Sequence, residues 1–255
     1  MKSKRLIAIE KYIMDHESVS MKELRDYFKV SMNTVRRDVV ELLKRGTVRK
    51  VYGGVCAQTP ESALIPYEVR SGGDSRQKEA VCREAVRFVH DGDVIFIDSG
   101  TTTVWLMDYL KNINNLTVVT NNVEVIMKAL DNENISLIAL PGQLLHKTRS
   151  VTGETTVSFL ARYNIRTAFM AATGVSAQGV TNSSPLEYEI KKKALENSEI
   201  KVLMVTGRKF GVTGLMTYAN IEQFDVIITD GSILERYREL VENKHVNLVI
   251  AKEEK

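Results

Sequence analysis

The chain has 255 residues, of which 44% are hydrophobic and 26% charged, with a net charge of +3. These proportions describe an ordinary globular protein of more than one domain and exclude a disordered chain. No apolar run reaches the ~20 residues of a membrane-spanning helix, and two cysteines outside any Cys-x-x-Cys pair point to neither a disulfide framework nor a structural zinc site.

The N-terminal elements read as a DNA-binding head. Leu6, Ile9 and Ile13 mark a first helix, and Ser20-Met21-Lys22-Glu23 has the spacing of a capping box opening a second, with Leu24 and Phe28 on its apolar side. Ser31 caps a third helix after a short link at Lys29-Val30, as in a helix-turn-helix. In that third helix Val35, Val39, Leu42 and Leu43 form one apolar stripe, while Asn33, Arg37 and Lys44 lie opposite with Arg36 on the flank. Gly46 is expected to stop it. Thr47 to Tyr52 then alternates towards Gly53-Gly54, like the strand and turn of a wing.

Charge follows the same division. Residues 1–55 hold 13 Lys/Arg against 7 Asp/Glu, a net +6, whereas the remaining 22 and 25 give −3. A basic head on a mildly acidic body is the pattern expected when only the head meets a polyanion. The start, Met-Lys-Ser-Lys-Arg-Leu, lacks the core and cleavage site of a secretory signal, so a cytoplasmic location is expected. Four histidines, His16, His90, His146 and His245, are scattered without metal-ligand spacing, and no metal is expected.

Residues 56–75 lose periodicity around Pro60, Pro66 and Gly72-Gly73 and read as a linker. From 76 to 255 short apolar strands alternate with amphipathic segments. The strands are assigned to Val94–Ile97, Leu116–Val119, Ile135–Ala139, Thr167–Ala171, Val202–Val205, Val226–Thr229 and Val246–Ile250. Helices are expected at 76–90, 102–112, 122–131, 186–197 and 233–243, and the connection 140–165 is expected to hold an extra strand and a short helix. This order predicts an α/β fold: a winged helix-turn-helix followed by a mostly parallel, doubly wound sheet.

Ligands of such sheets bind beyond the carboxyl ends of the strands. Those ends are polar here: Asp98-Ser99-Gly100-Thr101-Thr102-Thr103, Thr120-Asn121-Asn122, Ala172-Thr173-Gly174 and Thr206-Gly207-Arg208-Lys209-Phe210-Gly211. The first is a strand–loop–helix turn whose backbone N–H groups and hydroxyls suit a phosphate, with Lys209 or Arg208 adding a full positive charge. Neither Gly-x-x-x-x-Gly-Lys-Ser/Thr nor Gly-x-Gly-x-x-Gly occurs, so neither a P-loop nucleotide nor a dinucleotide cofactor is expected.

With these motifs the chain resembles the DeoR family of bacterial transcription regulators over nearly its whole length. The resemblance rests on Ser31-x-x-Thr34-Val35-Arg36-Arg37-Asp38 and Tyr52-Gly53-Gly54 in the head. In the sensor it rests on Pro66-x-x-x-Arg70, Lys78, Asp98-x-Gly100-Thr101-Thr102-Thr103, Thr120-Asn121 and Lys209-Phe210-Gly211. It implies a repressor of carbohydrate-use genes, with a sensor related to ribose-5-phosphate isomerases and sugar-phosphate deaminases and a phosphorylated sugar as effector.

The expected contacts with double-stranded operator DNA are Asn33 and Arg37 to base edges, with Thr34, Arg36, Lys44, Arg49 and Lys50 supporting them. Those with the effector are Asp98, Gly100, Thr101, Thr102, Thr103, Thr120, Asn121, Gly174, Glu187 and Lys209. A homo-oligomer, dimer or tetramer, is expected because palindromic operators mirror protein symmetry. The rival reading is a phosphosugar isomerase or deaminase with a DNA-binding head, using Glu187, Glu189, Lys191 and Asp98 as acid and base. Against it, Glu187 to Lys193 reads as a charged helix face with i,i+4 pairs.

Overall fold

The computed structural model describes residues 2–16, 18–45, 48–51, 54–57 and 64–253. The head comprises α1 (Lys2–Asp15), β1 (Ser18–Ser20), α2 (Met21–Phe28), α3 (Met32–Arg45), β2 (Val48–Val51) and β3 (Gly54–Ala57). Leu6, Ile9 and Ile13 of α1, Leu24 of α2, and Val35, Val39 and Leu42 of α3 close one core with Val19, Val48 and Val55. The capping box forms as the spacing predicts, with the Glu23 N–H donating to Ser20 Oγ at 3.1 Å. Ser31 Oγ likewise accepts from the Thr34 N–H at 3.2 Å. Asp38, 1% exposed, receives Arg5 Nε at 2.8 Å and ties α3 to α1.

The wing holds one strand more than the sequence suggested. β1 pairs antiparallel with β3, which pairs with β2, giving the order β1-β3-β2. Gly54 permits that pairing, since a Cβ there would lie 2.3 Å from the Val19 carbonyl oxygen. The predicted stop at Gly46 and the wing-tip residues Thr47, Tyr52 and Gly53 lie outside the described residues.

The sensor domain follows α4 (Tyr67–Ser71) and α5 (Ser75–Ala85). Its main sheet has seven parallel strands: β4 (Val94–Ile97), β5 (Leu116–Thr120), β6 (Ile135–Ala139), β9 (Ile165–Met170), β12 (Ser198–Met204), β14 (Val226–Asp230) and β15 (Asn247–Ala251). The order is β15-β14-β12-β9-β4-β5-β6, so the chain winds outward in both directions from the β4/β9 pair. Two apolar cores, one per face, bury it, which is why its strands read as unbroken apolar runs.

Helices α6 (Val123–Ala129), α7 (Glu154–Leu160), α8 (Pro185–Glu196) and α9 (Glu235–Glu242) complete it. The segment expected as a helix at 102–112 is instead a 3-10 helix over Thr103–Tyr109.

Smaller antiparallel elements grow from the carboxyl ends of the strands. β7 (Gln143–Leu145) pairs with β8 (Ser150–Thr152), and β10 (Gly174–Ser176), β11 (Gly179–Asn182) and β13 (Met216–Ala219) form a three-stranded sheet. These short pieces wall the edge where ligands of parallel sheets bind. Two parts of the predicted linker have regular structure: β3 reaches Ala57, and α4 docks on the sensor through the Tyr67 N–H to the Lys147 carbonyl at 2.9 Å.

Candidate functional site

On the head, α3 buries Val35, Asp38, Val39 and Leu42 and exposes Asn33, Arg36, Arg37, Val40 and Lys44. The exposed set forms a continuous stripe of amide, guanidinium, methyl and ammonium groups. Thr34 is half-buried, with its hydroxyl 2.9 Å from Ser31 Oγ at the helix start. Lys50 is exposed on β2; the Arg49 side chain lies outside the described residues.

In the sensor, the topological switch falls between β4 and β9, where Asp98 and Ala171 directly follow neighbouring strands. Asp98 is fully buried. Its carboxylate accepts the Ser99 N–H at 2.8 Å and the Ala171 N–H at 2.9 Å, and it forms an ion pair with Lys191. Lys191 also donates to the Ala171 carbonyl at 3.1 Å and lies 5.3 Å from the Tyr218 ring centroid. Tyr218 donates to that same carbonyl at 2.9 Å, and burial pushes its hydroxyl well above the usual range, with the Asp98 charge adding to the effect.

Glu187, 4% exposed, sits beside this pair. It accepts from Ser99 Oγ at 3.0 Å, Ser150 Oγ at 2.6 Å and Asn182 Nδ2 at 3.3 Å. The charged face with i,i+4 pairs expected on α8 is corrected at Glu187 and Lys191. Glu187 and Lys191 belong to its buried stripe with Ile190, Ala194 and Leu195, and each bonds to other elements rather than to the other.

A cleft opens over this cluster, lined in part by Leu64, Ile65 and Arg70 from the α4 segment, Gly100, Glu187 and Lys209. Ser99, Thr148, Thr173, Asn182 and Ser183 bring hydroxyl and amide groups to its wall. The Ser183 hydroxyl is buried without a partner among the described residues, a group poised to bond a ligand.

The rim is cationic. Burial, then the nearby charges of Arg208, Arg70 and Lys78, lower the Lys209 ammonium from 10.5 to about 8, against an opposing pull from Asp74. Lys78 is likewise lowered to about 8, by burial first and then by Arg208. Arg208 itself forms an ion pair with Asp74. Because the folded state binds these protons less tightly than the unfolded chain, the two lysines make stability rise with pH between 8 and 10.5. An anion held by Lys209 is expected to respond oppositely. Inorganic phosphate affinity falls by up to about tenfold per pH unit above 8, while phosphate itself loses no charge. Calorimetric titration at pH 8 and 9.5, where phosphate is chiefly the dianion, measures this.

Of the predicted effector residues, Gly100, Glu187 and Lys209 line the cleft. The others lie around it, and several of their side chains bond within the protein and hold the cleft in shape. Thr103 Oγ1 donates to the Asp98 carbonyl at 2.7 Å and accepts the Gly100 N–H at 3.2 Å. Thr120 Oγ1 donates to the Ile97 carbonyl at 2.6 Å, and Gly174 packs so closely on Val212 that a Cβ would lie 2.0 Å from its carbonyl oxygen. Asp98 is saturated by its own partners. Thr101 and Thr102 are buried within the loop, and the cleft lining does not include them. Asn121 donates to the Val151 carbonyl at 3.1 Å and keeps a buried, unpartnered Oδ1. Asn122, named at the polar strand end but not among the expected contacts, clamps the loop through the Asp98 and Gly100 carbonyls at 3.2 and 3.3 Å.

Comparison with known proteins decides the family. Residues 5–61 match the DeoR-like helix-turn-helix domain, and residues 74–231 match the DeoR C terminal sensor domain. The chain belongs to the DeoR family of transcription regulators.

This DeoR-family chain is 39% identical to the HTH-type transcriptional regulator IolR of Bacillus subtilis, over 98% of its own length and 100% of that protein's. It is 26% identical to the HTH-type transcriptional repressor GlcR of the same organism, over 98% and 96%. With the glycerol-3-phosphate regulon repressor of Escherichia coli the identity is 28% over 90% and 91%. Among solved structures it is distantly similar to ribose 5-phosphate isomerase A from Methanocaldococcus jannaschii, with 22% identity and a TM-score of 0.38 over 52% of this chain and 53% of that one. For eIF2B beta from Chaetomium thermophilum the values are 13% and 0.44, over 88% and 65%. The protein is thus a DNA-binding regulator of transcription, and no helix among its described residues is long and apolar enough to cross a membrane.

Proposed function

We propose that this regulator is a sequence-specific repressor of carbohydrate-metabolism genes, released from its operator by a phosphorylated sugar bound in the sensor cleft. The observation that carries the effector reading is the pairing of two chemistries in one cleft. Arg70 and Lys209 supply cations for a phosphate, while Glu187, Asn182 and Ser183 supply partners for hydroxyl groups. One relative is named for the regulon of a phosphorylated polyol, in keeping with that chemistry.

At the DNA, Asn33 and Arg37 read base edges, Val40 offers methyl groups to thymine, and Thr34, Arg36, Lys44, Arg49 and Lys50 hold phosphates. The head acts within a dimer or tetramer on a palindromic site. Binding selection from a random DNA pool would define the operator. Arg37→Ala is then expected to cost about 1–3 kcal/mol and relax preference at one base pair. Equal weakening on every sequence would place Arg37 on phosphate instead, and unchanged binding would sink the assignment.

The enzyme reading draws on Asp98, Lys191 and Glu187, which do cluster. Asp98 and Lys191 already neutralise each other, which removes two of the groups that reading draws on. Turnover of sugar phosphates, abolished by Glu187→Gln, would overturn the regulator-only reading of the cleft.

A further inference from the structure

We propose that the segment Leu64–Ser71 is a strap over the sensor cleft, and that a bound anion fastens it through Arg70. Occupancy would then act directly on the stretch of chain that enters the sensor from the DNA-binding head. The inference rests on the anion-site reading above and adds a route by which that site regulates.

The strap is part of the site. Leu64, Ile65 and Arg70 line the cleft from one side, facing Gly100 and Lys209 of the sensor body. Its attachments are few and mostly polar. Tyr67 is buried, and its N–H reaches the Lys147 carbonyl. Arg149 is the clasp: in the left-handed region at φ 53°, it reaches Glu68 of the strap at 2.7 Å and Glu124 of α6 at 2.6 Å. Its guanidinium also lies 5.1 Å from the Tyr67 ring centroid. Lys78 Nζ holds the end of the strap through the Arg70 and Ser71 carbonyls at 2.7 and 3.3 Å.

Charge gives the coupling its sign. Arg70 on the strap shares the cleft with Lys209 of the body, Lys78 lies buried nearby, and the like charges of these three groups oppose one another. Glu187 and, less strongly, Asp98 of the body attract Arg70, and Asp98 is already neutralised by Lys191. An anion between Arg70 and Lys209 replaces repulsion by two attractions, each available only when the strap is down. Such a ligand binds the docked arrangement more tightly than the released one and shifts the population towards it.

Hydrogen exchange of the full-length protein tests this, using inorganic phosphate against sodium chloride at equal ionic strength. Phosphate is expected to slow exchange over residues 67–71 by about fivefold or more, together with the loop 98–103. In Arg70→Gln the loop should still respond while the strap does not. Arg149→Gln, which leaves the rim intact, should speed exchange at 67–71 without phosphate and be partly reversed by it. This second variant keeps the test decisive if Arg70→Gln folds poorly. Protection of 98–103 without change at 67–71 overturns the strap and leaves the anion site standing. Protection of neither removes the anion site and the strap with it, and strap protection that survives in a folded Arg70→Gln overturns the role of Arg70.

Discussion

Lys191→Met is expected to destabilise the protein by about 3–5 kcal/mol, the cost of leaving a buried carboxylate without its counter-charge. Asp98 would keep the Ser99 and Ala171 N–H groups but lose the cation bonded to it. The methionine fills similar volume, so the loss reports charge rather than a cavity. Asp98→Asn combined with Lys191→Met should recover much of it, because the unpaired charge is then gone. Urea unfolding of the single and double variants measures both. A single-variant loss below about 1 kcal/mol would show that water reaches Asp98 and that the pair is no keystone of the cleft.

Gly100→Ala is expected to weaken phosphate binding by more than about tenfold and to cost about 1–3 kcal/mol of stability through overpacking. A Cβ at this position would lie 2.3 Å from the Ala171 Cβ and 2.9 Å from Thr103 Oγ1. Neither neighbour is a flexible tip, since Ala171 is pinned by Asp98, Lys191 and Tyr218 and Thr103 by the loop carbonyls. The loop must therefore move away from the cleft. Gly92→Ala is the control. Its φ of +82° makes alanine strained, yet nothing lies within 4 Å of the added methyl, so stability should fall while phosphate affinity holds. Equal loss of affinity in both variants would mean that the loop geometry is not what binds.

Local signals carried the legible part of the fold. The capping box at Ser20 and Glu23, the cap at Ser31 and the α3 stripe each depend on residues a few positions apart. The central strands announced themselves because both faces are buried. β1 was missed because three residues with Val19 as their one apolar side chain leave no period to read. Loop motifs located the site, yet the division of labour within them was not legible. Whether Thr103 and Thr120 bond a ligand or a neighbouring carbonyl depends on which strands lie side by side.

Glu187 and Lys191 show how charge misleads. Their spacing from Ala194 and Leu195 already placed them on the buried stripe of α8, but their charges suggested pairing along the helix. Arg70 lies in a stretch without periodicity, and only the docking of α4 brings it to the cleft.

The most direct test of the account is release of the full-length protein from its selected operator during titration with phosphorylated sugars and their unphosphorylated counterparts. One phosphosugar should release the DNA where its parent sugar does not, and Lys209→Ala should bind DNA normally while losing that response. Release by parent and phosphosugar alike, or by neither across the panel, would contradict a phosphosugar-sensing cleft.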